Sequence, residues 1–216
     1  MTDPHAIYRP ALDLLGRSEG TDIRRGYNET LAYGAYSGGD RNLTLMTLDE
    51  IDELQRAMLA HPRNKWNSSA LGRYQIVRTT LREIRSKLRL TGRENFDPEM
   101  QDRMACYLLG KRGIDRWLAG QMTDSEMVNS LAKEWASLPT SKGVGHYDGQ
   151  RAAVTVTEVL DALGRVRQLY RQARDQLNAT KPKPTPPPQA PAKPASRGGV
   201  MAALLAIFKA IFGGRP

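Results

Sequence analysis

Two short stretches decide how this chain reads: Ser18-Glu19-Gly20-Thr21-Asp22 and, about fifty residues on, Ser69-Ala70-Leu71-Gly72-Arg73-Tyr74-Gln75. The first sets a lone glutamate where a helical pattern ends. Ile7, Ala11, Leu14, Leu15 and Ser18 recur at helical spacing and give one apolar face, and Gly16 and Gly20 weaken the end of the helix. The second is a glycine turn that opens a long helical pattern from Tyr74 to Leu88, carrying Ile76, Val77, Leu81, Ile84 and Leu88 on one face. A glutamate at a helix end is ordinarily just solvated, and a glycine turn capped by a serine explains Ser69 and Gly72 without chemistry. Gln75 beside Tyr74 is not explained that way. Tyr74 offers a stacking face and a hydroxyl, and Gln75 an amide that both donates and accepts.

Outward from these motifs the body reads as mainly α. Residues 21–45 are rich in glycine, with Tyr27, Tyr33 and Tyr36 interleaved, and leave room for one or two short strands. Thr47-Leu48-Asp49-Glu50 and Thr123-Asp124-Ser125-Glu126 are capping boxes. The first opens a helix that stops before His61-Pro62; the second leads through Met127 and Leu131 toward Trp135. Asp97-Pro98 is an N-cap with proline at the first helical position, followed by Met100, Met104 and Leu108. A short helix is expected from Ile114 to Ala119, and a long one from about Arg151 to Leu177. Phe96, Leu108 and Trp135 read as core.

The expected organisation is a folded body over 1–180, a Pro-rich linker over 181–199 and an amphipathic helix over 200–213. Seven prolines between Lys181 and Ser196 favour extended polyproline II and forbid a packed core. Beyond them, Leu204, Leu205, Phe208, Ile211 and Phe212 share one helical arc with Val200, Met201 and Ile207, while alanines and Lys209 fill the other. This run is too short to span a hydrocarbon core of about 30 Å. Either it lies in a membrane interface through those five residues, or it docks on the body or on another copy.

The net charge is +9, and Lys181, Lys183, Lys193, Arg197, Lys209 and Arg215 stand in the tail with no acid beside them. Basicity is therefore mostly a tail property, suited to an anionic membrane or lipopolysaccharide. The body carries no recognisable nucleic-acid-binding motif, so nucleic acid is not expected as a partner, and the chain is expected to be a monomer. Cys106 is the only cysteine, set in an apolar helical run, and reads as a buried thiol. The three histidines are not clustered, so neither a metal nor any other cofactor is expected. The first ten residues hold Asp3, two prolines and no apolar run. The expectation is synthesis in the cytoplasm without a signal peptide.

Six motifs occur in a consistent order: Glu19-Gly20-Thr21-Asp22; Gly26-Tyr27-Asn28; Ser69-Ala70-x-Gly72-Arg73-Tyr74-Gln75; Phe96-x-Pro98-x-x-Gln101-Asp102; Arg112-Gly113; and Trp135-Ala136-Ser137-Leu138-Pro139. In that order, over about residues 8–150, they resemble the lambda-type phage endolysins and prophage muramidases of the lysozyme-like superfamily. The stretch 47–60 departs from the family pattern, being a capped helix where the family has a more strand-like segment.

The resemblance implies a lysozyme-like α+β fold, largely helical and two-lobed, with a substrate groove and at most a small hairpin or sheet. It implies peptidoglycan glycan strands as substrate, met in the periplasm after release by other means or from a virion. The bond cut would be the β-1,4 link between N-acetylmuramic acid and N-acetylglucosamine, with Glu19 as the single general acid and base and no metal required. In the lambda-type enzymes the product is a 1,6-anhydro sugar. Substrate contacts are expected from Tyr74, Gln75, Ser69, Gly72, Asp22, Tyr27, Asn28 and Tyr147. Asp22, Glu29 and Asp40 are the candidates for a second carboxylate, with Asp22 also readable as a turn cap. Trp66, just before the second motif, reads equally as a sugar-stacking or a packing residue. The rival reading is a membrane-disrupting or wall-binding protein whose tail is the active element.

Overall fold

A computed structural model describes residues 3–180. The linker over 181–199 and the segment 200–213, with Leu204, Leu205, Phe208, Ile211 and Phe212, lie outside the described residues.

The described chain is mainly helical, in keeping with a lysozyme-like fold. Its helices are α1 (Arg9–Ser18), α2 (Leu48–Ala60), α3 (Arg78–Leu88), α4 (Pro98–Lys111), α5 (Ile114–Leu118), α6 (Asp124–Ala132) and α7 (Val156–Ala179). Helix α1 buries Ala11, Leu12, Leu14 and Leu15 and packs chiefly on α7, whose Val159, Ala162, Leu163 and Val166 face it and α6. Burying each large aliphatic side chain of this kind stabilises the fold by about 1.5–3 kcal/mol. The apolar faces of α2 (Ile51, Met58), α3 (Leu81, Ile84) and α4 (Met104, Leu108, Leu109) join the same cluster, as do Phe96, Trp117 and Trp135.

Helix starts follow local chemistry. Thr47 accepts from the Glu50 amide while the Glu50 carboxylate accepts from the Thr47 amide, and Thr123 with Glu126 repeats the arrangement. Asp97 caps α4 through the Met100 amide, with Pro98 in the first turn. A third box, Thr155 with Glu158, starts α7 at Val156 rather than near Arg151. At the other end of α6 the helix closes at Ala132, so Trp135 stands in the turn that follows, buried nonetheless.

Two expectations are corrected. Residues 21–45 form no strand. They fold as short 3-10 turns, Gly26–Asn28, Leu31–Gly34 and Leu43–Leu45, and the β pairing among the described residues is limited to the isolated bridges Thr30–Leu71, Thr47–Asn95 and Leu71–Ile76. Positive φ at Gly26, Ala32, Tyr33, Gly34, Gly38 and Gly39 interrupts any extended run there. Helix α3 begins at Arg78, not Tyr74. The Leu71 amide donates to the Ile76 carbonyl and the Ile76 amide to the Leu71 carbonyl, closing a tight turn with Gly72 and Gln75 both in the left-handed region.

Gly72 holds this turn in place. Its φ is +77°, its amide donates to the Glu29 carbonyl at 2.8 Å, and a Cβ there would lie 2.3 Å from the Gln101 side-chain oxygen. That oxygen accepts from the Arg73 amide, while Gln101 Nε2 donates to the Tyr27 and Phe96 carbonyls. Gly72→Ala therefore combines left-handed strain with displacement of Gln101. Denaturant unfolding should show a loss of at least about 1–2 kcal/mol. An unchanged midpoint would mean that the turn relaxes without cost.

Candidate active site

Glu19 is set at the end of α1 by the residues that stop the helix. Its amide still donates to the Leu15 carbonyl, and Gly20 then turns the chain at φ +70°. Thr21 ties the turn down: its hydroxyl lies 3.1 Å from the Gly16 carbonyl and 2.8 Å from the Arg73 carbonyl. Asp22 receives a two-pronged contact from Arg73, Nε to Oδ1 at 2.6 Å and Nη2 to Oδ2 at 2.7 Å. Gly16 lets this pair approach α1, since a Cβ at that position would lie 2.5 Å from Asp22. The first two motifs are thus joined by their own residues, and the junction fixes where Glu19 points.

Arg73 goes further. Its Nη1 donates to the hydroxyls of Tyr27 and Tyr74 at 3.2 and 3.1 Å, and its Nη2 to Asp13 at 3.0 Å. Both tyrosine hydroxyls donate to Asp102 Oδ1, and Arg9 reaches Asp102 Oδ2 at 2.6 Å. Burial, first of all, and the Asp102 charge raise the pKa of both phenols above the ordinary value, so they stay protonated donors.

A cleft of about 410 Å³ opens over Glu19. One wall is Leu31, Ser68, Ala70 and the segment Tyr74–Val77 with Thr80; the other is Glu134, Trp135 and Ala136, with Gln150 at the edge. A larger groove of about 520 Å³ runs between α1 and α7, lined by Arg9, Asp13, Arg17 and Glu158 among others, but Glu19 is not in its walls.

Glu19 itself is only partly exposed, and burial raises the pKa of its carboxyl above the usual carboxylate range. The end of the α1 dipole acts in the same sense. One group opposes this: Ser137 Oγ donates to Glu19 Oε1 at 2.7 Å and lowers the pKa by a smaller amount. Ser137 lies 3.0 Å from Ser18 Oγ, so a short hydroxyl chain supports one carboxyl oxygen. The hydrogen bond occupies Oε1 and, among the described residues, leaves Oε2 as the oxygen free to carry a proton. Such a carboxyl is suited to giving up a proton and taking it back.

The expected substrate contacts separate into two groups. Tyr74 and Gln75 line the cleft, but Tyr74 is 1% exposed and its hydroxyl is spent on Asp102, so it offers a wall rather than an open stacking face. Gln75 Nε2 donates to the Gly72 carbonyl at 2.9 Å. Ser69, Gly72, Asp22, Tyr27 and Asn28 do not line the cleft. Ser69 Oγ accepts from the Arg78 amide at the start of α3, and Asn28 Oδ1 accepts from the Thr44 amide. Tyr147 is half exposed outside the cleft, its hydroxyl donating to the Lys133 carbonyl; Gln150, three residues on, reaches the cleft instead.

The three candidate second carboxylates are all engaged elsewhere. Asp22 is held by Arg73, Glu29 accepts from the amides of Arg25 and Thr30, and Asp40 pairs with Arg25. The second carboxylate in the cleft wall is Glu134, which accepts from Arg112 Nε at 2.6 Å. Sequence reading missed Ser137, although it stands inside the Trp135–Pro139 motif. It also missed Glu134 and Gln150, which carry no local signal.

Ser137→Ala removes the one contact that favours the Glu19 carboxylate, so the Glu19 pKa should rise further. Any reaction in which Glu19 delivers the proton loses rate as pH rises through that pKa. The alkaline limb of the pH–rate profile should therefore move to higher pH in the variant. A drop in rate with the limb unmoved would assign Ser137 to packing alone.

Residues 9–173 match the family model described as Endolysin. Neither a curated protein nor a solved structure matches the chain. The match takes in all six motifs, helices α1 to α6 and most of α7, and with them Glu19, Ser137 and both walls of the cleft. This chain belongs to the endolysin family, phage proteins that lyse the bacterial cell wall by breaking down peptidoglycan.

Proposed function

We propose that the protein cuts the β-1,4 glycosidic bond between N-acetylmuramic acid and N-acetylglucosamine, with Glu19 as general acid and then general base. The observation that carries this reading is the state of Glu19. It is an enclosed carboxyl at the base of a cleft, its pKa raised by burial, with one oxygen held by Ser137 and the other free. Cleavage of a glycosidic bond needs a proton on the leaving oxygen as the bond to the anomeric carbon breaks.

In the first half of the reaction the Glu19 carboxyl proton goes to the 4-oxygen of the departing N-acetylglucosamine. The muramic acid 6-hydroxyl oxygen then bonds to its own anomeric carbon, and its proton returns to the Glu19 carboxylate. The acid is regenerated, no water is consumed, and the product carries a 1,6-anhydro ring. One carboxyl serves both transfers, in keeping with a site where Glu134, the other acid of the cleft, is occupied by Arg112.

A second reading rests on that same Glu134. Released from Arg112, it would activate a water molecule, and the outcome would be hydrolysis with a reducing end.

Glu19→Gln keeps the shape and the Ser137 contact but has no proton to give. Turnover of purified peptidoglycan should fall by roughly 10²–10⁴-fold. Mass spectrometry of the released muropeptides should show 1,6-anhydro ends with the unaltered protein. Reducing ends would favour the Glu134 route, and retained activity in Glu19→Gln would remove Glu19 from the chemistry.

A further inference from the structure

Of the three tryptophans, Trp117 and Trp135 are 1% and 3% exposed, whereas Trp66 is 68% exposed. It is nevertheless firmly placed. Asn64 Nδ2 donates to both the Met58 and the Ser68 carbonyls at 2.8 Å, drawing residues 58–68 into a closed turn at the end of α2. Asn67, next to Trp66, is in the left-handed region at φ +49°. The indole meets Tyr36 edge-to-face at 6.1 Å and 88°, and Tyr36 in turn packs on His61 at 5.4 Å. Whichever ring presents its edge, Tyr36 covers at most one face of the indole.

The position of this ledge gives it meaning. Ser68, two residues from Trp66, is in the cleft wall, and two residues of chain span at most about 7 Å. Tyr36 belongs to the same loop as Leu31, the neighbouring piece of that wall. The exposed aromatic face therefore continues the wall outward, and the exposed Arg63 and Lys65 flank it in sequence. A flat apolar ring answers the C–H face of a pyranose, and cations beside it answer the carboxylates of muramyl lactate and stem peptide.

We propose that the Trp66–Tyr36 ledge is a sugar-stacking subsite that engages a peptidoglycan glycan strand beyond the residues bound over Glu19. This rests on glycan strands being the substrate. It assigns Trp66 to strand binding, outside the proton chemistry, and makes long strands better substrates than short ones.

Two experiments on the full chain test it. In the first, Trp66→Ala should raise KM for glycan strands of several disaccharides about 3- to 10-fold, the factor of one aromatic stacking contact, and Trp66→Phe should largely restore it. An unmoved KM, or a loss confined to kcat, would overturn the subsite. In the second, glycan strands are added to Glu19→Gln protein and acrylamide quenching of tryptophan fluorescence is followed. Trp66 is the exposed indole, so strand binding at the ledge should shield it. Cleavage of glycan by the unaltered protein without shielding would overturn the ledge and leave the glycosidase reading standing. Absence of both cleavage and shielding would overturn the two together.

Discussion

The rest of the structure depends on the Arg73 guanidinium. It is nearly buried, and it reaches Asp22 in the turn after α1, Asp13 on α1, Tyr27 in the following loop and Tyr74 beside it. Through the two phenols it is coupled to Asp102 on α4, which Arg9 of α1 approaches from the other side. Three stretches distant in sequence, residues 9–27, 73–74 and Asp102, thus meet around one cation. A buried charge persists only where its hydrogen-bonding capacity is met, and each partner here satisfies part of it. The cation cannot shift without leaving several groups unpaired, so the turn that carries Glu19 has a fixed place relative to the turn that carries Gln75.

This division of labour accounts for what the two leading motifs contain. Glu19 faces the cleft, while Gly20, Thr21 and Asp22 turn the chain and bind it to Arg73. Gln75 faces the cleft, while Gly72 and Arg73 look inward to Gln101 and the ion cluster. Most of each motif is scaffolding for a single residue that faces the cleft. Ser137 closes the arrangement from the far wall, since its hydroxyl reaches Glu19 from the segment after α6.

What the sequence made legible, and what it did not, follows from the range of the interactions. The helices announced themselves because capping and apolar periodicity act within a few residues: Thr47 with Glu50, Asp97 with Pro98, and the stripe through Leu81 and Ile84. Glu19 stood out as the lone glutamate of its motif, and the structure gives it a distinctive environment. The start of α3 was misplaced because the Leu71–Ile76 pairing consumes residues whose side chains still follow a helical pattern. Tyr74 reads as a sugar-binding surface until Asp102, far along the chain, is found bonded to it. Ser137 and Glu134 lie more than a hundred residues from Glu19, and no local pattern reports a contact of that span.

The origin of the Glu19 shift has a consequence for the surroundings in which the protein can work. The proton affinity is raised by dehydration of the carboxyl, and the one opposing influence is a neutral hydroxyl. Dissolved ions screen charge–charge attraction over about 10 Å at 0.1 M but do not rehydrate an enclosed group. Ionic strength will therefore loosen the exposed ion pairs, such as Arg56 with Glu53, while the pH at which Glu19 releases its proton stays where the cleft sets it. Salinity and acidity act on separate parts of this molecule.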